Sequence, residues 1–441
     1  MTVRAGADPC DLALPLASAG DLDPLLARIG EARVVCIGEA SHGTHDFYAW
    51  RATLTRRLVE EHGFDLVGVE GDWPDCHRVH CSVVGSPAAP DDPRAALERF
   101  ERWPTWMWAN EEVAGFTRWL RSHNLEREPE QRVGFHGLDV YSLWESLRAV
   151  LDHLRERYPD DLDAALQAVE CFEPYAEDPQ AYARSTRIVP TGCEVEVVEL
   201  LTDLLERHAD DGDHLVDADA RFFAEQNARA VIGAEAYYRA MVGGGPESWN
   251  VRDRHMADTL DRLLAHRGSR HGGRAAKAVV WEHNTHVGDA RFTDMAEAGM
   301  TNVGRLVRER YGESDTVLVG FGSHRGSVVA GRWWGAPMEA MSVPPARRGS
   351  IEDLLHDSLG GASALFVPPP ELPAWLSQER GHRAIGVVYR PEAERVGNYV
   401  PTVLGRRYDA FLWLDETTAL QPLGGRERAT TGELETWPFA T

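Results

Sequence analysis

Apolar residues along this chain gather in short continuous runs, each followed at once by polar and titratable residues. The runs lie at 33–37, 64–69, 132–135, 278–281 and 316–321, with two more at 384–389 and 410–414. Short runs without alternation predict strands covered on both faces. Between the first of them the spacing turns helical, over 47–61 and 110–123. Strand and helix in alternation predict an α/β fold, a mainly parallel sheet covered by helices. From 142 to 267 the strand signal stops. Helical spacing runs through 144–158, 162–172, 194–208, 217–242 and 251–266, interrupted at Gly243-Gly244-Gly245-Pro246. We read this as a helical subdomain inserted between strands: a single domain over 1–441 with an insertion at 142–267. Trp249-Asn250-Val251 reads as a helix start capped by Asn250. Residues 267–274 read as the loop back to the sheet, and the Gly424-Gly425 and Thr430-Thr431 region as a loose tail.

Composition narrows the partners. The 441 residues are 43% hydrophobic, enough for a substantial core, and carry a formal charge of −24. That field disfavours nucleic acid and anionic membrane surfaces and leaves a small-molecule or peptide substrate. Cys10, Cys36, Cys76, Cys81, Cys171 and Cys193 are scattered with no C-x-x-C spacing. Scattered thiols suit a reducing compartment. No basic leader precedes an apolar core and no apolar run is long enough to span a bilayer, so the expected location is cytoplasmic.

The ends of the predicted strands hold the chemistry. They carry Glu39, His42 and His45; Glu70, Asp72 and Trp73; His136 and Asp139; His283 and His286; His324 and Arg325. Open parallel sheets bind ligands beyond the carboxyl ends of their strands. Five polar clusters at one edge predict an active site without specifying its reaction. In Glu39-x-x-His42 a carboxylate and an imidazole can share a tight turn, and such a histidine can act as general base near neutral pH. The same turn could serve as a helix start, with Ser41 or Thr44 as cap and Asp46 in the first turn. Ser41 does not sit in the G-x-S-x-G frame of a nucleophile elbow. The His283/His286 spacing would suit metal ligands, substrate contacts or the orientation of a water. Arg51 and Arg325 are candidates for stabilising developing charge, whereas Arg78 reads as a surface ion pair. Arg252 could reach the cleft from the helical segment. Trp73, Trp106 and their neighbours Trp103 and Trp108 could line a pocket, although at least two should pack in the core. There is no Walker A sequence and no G-x-G-x-x-G after a strand, so no cofactor is expected.

Gly38-Glu39-x-x-His42-Gly43, Arg51, Val69-Glu70-Gly71-Asp72 and Trp281-Glu282-His283-Asn284-x-His286 together resemble the erythromycin esterase family, in order and spacing, over about 30–415. The Gly71-Asp72-Trp73-Pro74-Asp75 segment is more similar to members outside the macrolide-resistance enzymes. The resemblance implies a helix-covered sheet with a helical subdomain, and hydrolysis of an ester or lactone without a metal. It implies His42 as the base that activates water and Glu39 and Glu70 as orienting groups. Arg51, His283 and His286 would complete the catalytic set. Apart from the resemblance, the strand-end, tryptophan and helical-segment positions make His45, Asp72, Trp73, His136, Asp139, Trp106, Arg252 and Arg325 the expected substrate contacts. The residues alone also allow a cofactor-independent epimerase or lyase, or a metallohydrolase using the same histidines.

Overall fold

A computed structural model describes residues 7–169, 215–270 and 273–424. Its strands are β1 (Leu14–Pro15), β2 (Val34–Ile37), β3 (Leu66–Asp72), β4 (Gly134–Asp139), β5 (Ala278–Trp281), β6 (Thr316–Ala330), β7 (Glu339–Val343), β8 (Ala364–Phe366), β9 (Glu379–Arg383), β10 (Tyr399–Val403) and β11 (Ala410–Thr417). The main sheet runs β1-β8-β11-β6-β2-β5-β3-β4, with β7 beside the far half of β6. Neighbours from β11 to β4 are parallel. The antiparallel pairs β1/β8, β8/β11 and β6/β7 sit outside that central block. The expected mixed α/β fold with a mainly parallel sheet is therefore present.

The apolar runs work as two-faced strands. Val35, Ile37, Val67, Val69, Val279 and Val319 face one core layer, with Phe47, Leu54 and Leu58 of the helix His45–His62 and with Phe116 and Leu120 of Glu111–Leu125. The alternate residues Val34, Cys36, Leu66, Val280 and Leu318 face a second layer, with Met256, Leu260 and Leu263 of Glu247–Arg270 and with Val303 and Val307. Burial on both faces explains why the sequence shows runs rather than alternation. The helix His45–His62 ends at Gly63, whose positive φ of 66° favours glycine.

Between β4 and β5 in sequence lie the helices Leu143–Arg157, Leu162–Val169, Leu215–Gly243 and Glu247–Arg270. The first and third share a cluster in which Leu147, Val150 and Leu154 pack with Val231, Tyr237 and Tyr238. The expected helix at 194–208, with Cys171 and Cys193, lies outside the described residues, as does the tail beyond 424. Among the described residues no helix is long and apolar enough to cross a membrane.

Several local expectations need correction. The run 384–389 is not a strand. It makes isolated bridges, Ser41 to Ile385 and Gly331 to Val388, so its backbone is divided between two elements and builds no ladder. The nearby strand is β9, which pairs β10. β6 does not stop at Phe321 but continues through Ser323-His324-Arg325, where β11 and then β7 supply partners. Asn250 is not a cap. The helix begins at Glu247, and the Asn250 side chain instead bonds Gly299 and Thr301. The helix Trp73–Val83 directly after β3 was not expected, because Asp72, Asp75, His77, Arg78 and His80 obscure its apolar face.

Candidate active site

β2 leaves the sheet at Ile37, and the chain then turns tightly against β6. Gly43 permits this approach: a Cβ there would lie 1.9 Å from the Val329 carbonyl oxygen. Gly38 is similarly confined, since a Cβ would meet Asn284 Oδ1 at 2.1 Å. Between these glycines His42 Nδ1 lies 2.7 Å from Glu39 Oε1. Glu39 is fully buried, and Arg51 Nη2 lies 3.1 Å from the same oxygen. Arg51 also donates to the Gly38 and Glu282 carbonyls and lies over the Tyr48 ring. It acts behind the carboxylate and does not line the cleft. With Nδ1 engaged by Glu39, Nε2 is the ring nitrogen of His42 left for another partner.

His42 opens on a cleft lined among others by Glu70, Asp72, Asp139, Tyr141, Arg252, His283 and His286. Residues from β3, β4 and the β5–helix junction thus meet where the sheet geometry placed them. Arg252 reaches in from Glu247–Arg270. Its fork binds Asp139 through Nε at 2.9 Å and Nη2 at 2.7 Å, and Nη2 also binds Glu70 Oε1 at 2.7 Å. Glu70 Oε2 accepts the His283 backbone N–H at 2.8 Å. Burial opposes ionisation of Glu70, but His286, Arg252 and His42 outweigh it and hold its pKa well below the usual carboxylate range. Glu70 is therefore an anchored anion.

The two histidines after β5 differ. Burial, with the neighbouring histidines adding and Glu70 opposing, lowers His283 well below the ordinary histidine value. Its Nδ1 accepts the Thr285 N–H, and the ring also bonds the Ala40 backbone. It is a neutral wall, 4.8 Å from His42 between ring centroids. For His286, burial pulls the same way, but Asp253 and Glu70 outweigh it and raise the ring to about 10. Trp249 stacks on that ring at 4.4 Å with planes 3° apart. Behind the cleft, burial pushes the Glu282 carboxyl well above its usual range, with further lift from Glu70, Asp253 and Asp139 against His286.

Several sequence candidates sit elsewhere. His45 begins a helix and pairs with Glu112 at 2.7 Å, away from the cleft lining. Arg325 is exposed and pairs with Glu416, because β6 carries it past the cleft. Trp106 is fully buried in the core. Trp73 and His136 stack at 5.7 Å and line a separate cavity with His77, His80 and His266. His324 stacks on His356 at 3.7 Å outside the cleft. Conversely, Asp253, Arg102, Asp75, Trp249 and Trp334 join the site without having been nominated. Asp253 directly follows the candidate Arg252, but its pairing with His286 spans 33 residues and has no sequence signal. Arg102, which holds Asp72 through two hydrogen bonds, carried no such signal. Among the described residues no group of three or more His, Cys, Asp or Glu side chains could hold a metal ion.

The cleft at the carboxyl edge of a mainly parallel, helix-covered sheet places the protein in the α/β class. Residues 59–417 match the family model described as erythromycin esterase, and the chain belongs to that family. Glu39, His42 and Arg51 precede the matched span. Erythromycin esterase type II of Escherichia coli is 22% identical over 70% of this chain and 73% of its own. Putative hydrolase YbfO of Bacillus subtilis is 20% identical over 91% and 87%. Among solved structures, a Bacillus cereus protein superposes with a TM-score of 0.76 at 18% identity, covering 94% of this chain and 97% of its own. An erythromycin esterase variant in an open conformation gives 0.64 at 18% identity, covering 95% and 97%.

Proposed function

We propose that this protein hydrolyses an ester or lactone by water that His42 activates. Family membership supports ester hydrolysis. The observation that carries the mechanism is the 2.7 Å Glu39–His42 pair, backed by Arg51 and opening on the cleft. His42 Nε2 takes a proton from water, and the hydroxide adds to the carbonyl carbon. Negative charge develops on the carbonyl oxygen, and the ester C–O bond then breaks. Arg252 and His286, the cations lining the cleft near Glu70, stabilise that charge. This role passes to them from Arg51, which is buried behind Glu39, and from His283, which is neutral. The reaction draws on no metal: His283 and His286 spend their ring nitrogens on Thr285, Ala40, Asp253 and Glu70.

The test is a mass-spectrometric screen of esters, lactones and modified peptides with His42→Ala as control. The expected product carries the mass of one added water, and His42→Ala loses about 10²–10⁴ in rate. Full activity in that variant overturns the mechanism. Solvent deuterium incorporated without hydrolysis would assign proton-transfer chemistry instead.

A further inference from the structure

We propose that Asp253 is a positioning residue that clamps His286 and keeps it in the cleft as a fixed cation rather than a second base. Both Asp253 oxygens lie 3.0 Å from His286 Nδ1. Asp253 is fully buried, and its Oδ1 also accepts the Val303 N–H at 2.9 Å, which pins the carboxylate from the neighbouring helix. Trp249, one turn before Asp253, holds the imidazole plane from its face. Asp253 at its edge and Trp249 on its face thus hold the ring in one orientation. Nε2 then lies 3.4 Å from Glu70 Oε1 and 3.2 Å from Arg252 Nη1.

The charges around His286 decide between its forms. Asp253 and Arg252 face it from the helix Glu247–Arg270, Glu70 from β3, Asp139 from β4 through Arg252, and Glu282 and His283 from its own segment. Glu282 and His283 are neutral for the reasons given above. Burial raises the Asp253 carboxyl, and His286, Arg252 and the Val303 N–H pull it back toward the ionised form; with Asp253, Glu70 and Asp139 set against one guanidinium, a protonated His286 reduces the imbalance. A neutral His286 would accept from Arg252 Nη1 at Nε2 but would leave two carboxylate charges uncompensated in a dry site. The cationic form directs Nε2–H toward Glu70. In the same cleft Glu39 and Asp253 thus each hold a histidine, and His286 carries its proton throughout. The catalytic consequence rests on the hydrolase reading; the charge state does not.

Ring ¹⁵N NMR of histidine-labelled protein tests the assignment without a substrate. Loss of a resonance set in His286→Gln identifies His286. We expect it to keep both ring protons at pH 8, and Asp253→Asn to lower its titration by about 1–3 pH units. With an ester identified by the screen, Asp253→Asn should lower kcat with little change in KM, as for a contact made in the transition state. A neutral His286 at pH 8, or a titration unmoved in Asp253→Asn, overturns the proposal. Where Asp253→Asn does not fold, the wild type decides: a downfield Nδ1–H of His286 together with a protonated Nε2 supports it, and an unprotonated nitrogen overturns it. Intact NMR behaviour with no ester hydrolysed would sink the hydrolase reading and leave the clamp standing.

Discussion

Arg51 shows how a residue can be legible in the sequence while its task is not. Its place after the Glu39-x-x-His42 turn marked it as part of the site. Its complete burial assigns it to Glu39 rather than to substrate. Removing one partner of a buried ion pair costs about 3–5 kcal/mol, because the other charge is stranded. Arg51→Met should therefore lose stability of that order, read from the midpoint of urea unfolding, and activity should fall with it. Glu282 is the opposite case. Its buried carboxyl is held neutral while the unfolded chain ionises near 4.5, so its penalty grows as pH rises above that value. Glu282→Gln keeps the shape and removes the penalty. Its melting temperature should exceed that of the wild type by a margin that widens from pH 5 to pH 8; a constant margin would contradict this. No feature of the sequence distinguishes Glu282 from its neighbours in function, since its neutrality comes from surroundings on three other elements.

The helix Trp73–Val83 carries two kinds of chemistry on two faces. Asp75 lines the cleft, while His77 and His80 line the second cavity with His136. His77 stacks on Phe223 at 3.6 Å, and burial, with Arg78 adding, lowers it to about 4 against a raising influence from Asp219. A histidine whose folded value is depressed contributes stability that is present above about 6.5 and lost as pH falls through about 4. Acidification over that window should loosen this helix first, seen as faster amide exchange within it, and His77→Gln should weaken the effect. Equal exchange in wild type and variant would argue against it. The helix itself was missed because a 3.6-residue apolar pattern is hard to see where the buried face includes His and Asp. Strand existence was far more legible, because continuous valine and isoleucine runs admit few other structures. Strand ends were not, since β3 and β4 continue through the polar residues that seemed to terminate them.

Across the molecule, the cleft depends on charges contributed by β3, β4, the β5 junction and the helix Glu247–Arg270. This binds stability to protonation of the site. His286, raised to about 10, contributes stability that is present below about 6.5 and is lost as pH rises through about 10. Urea unfolding from pH 6 to 10.5 should show a wild-type decline over that window, flattened in His286→Gln; parallel curves would contradict it.

The sequence by itself determined the fold class and nominated a candidate site at the carboxyl edge of the sheet, with His42, Glu39, Glu70 and the His283/His286 pair as its candidates. These follow from local order: each lies beside an apolar run, and a parallel sheet brings such ends together. Only the tertiary structure decided where each sits and what it pairs with. Arg51 moved behind Glu39, Arg325 moved to the surface, and His136 and Trp73 went to another cavity. Arg252, a marginal candidate, became the bridge between Glu70 and Asp139, and Asp253 took hold of His286. The reason is physical. Residue type and spacing set which groups can titrate, but the state each keeps depends on burial and on partners distant in the chain, and those exist only once the helices have closed over the sheet.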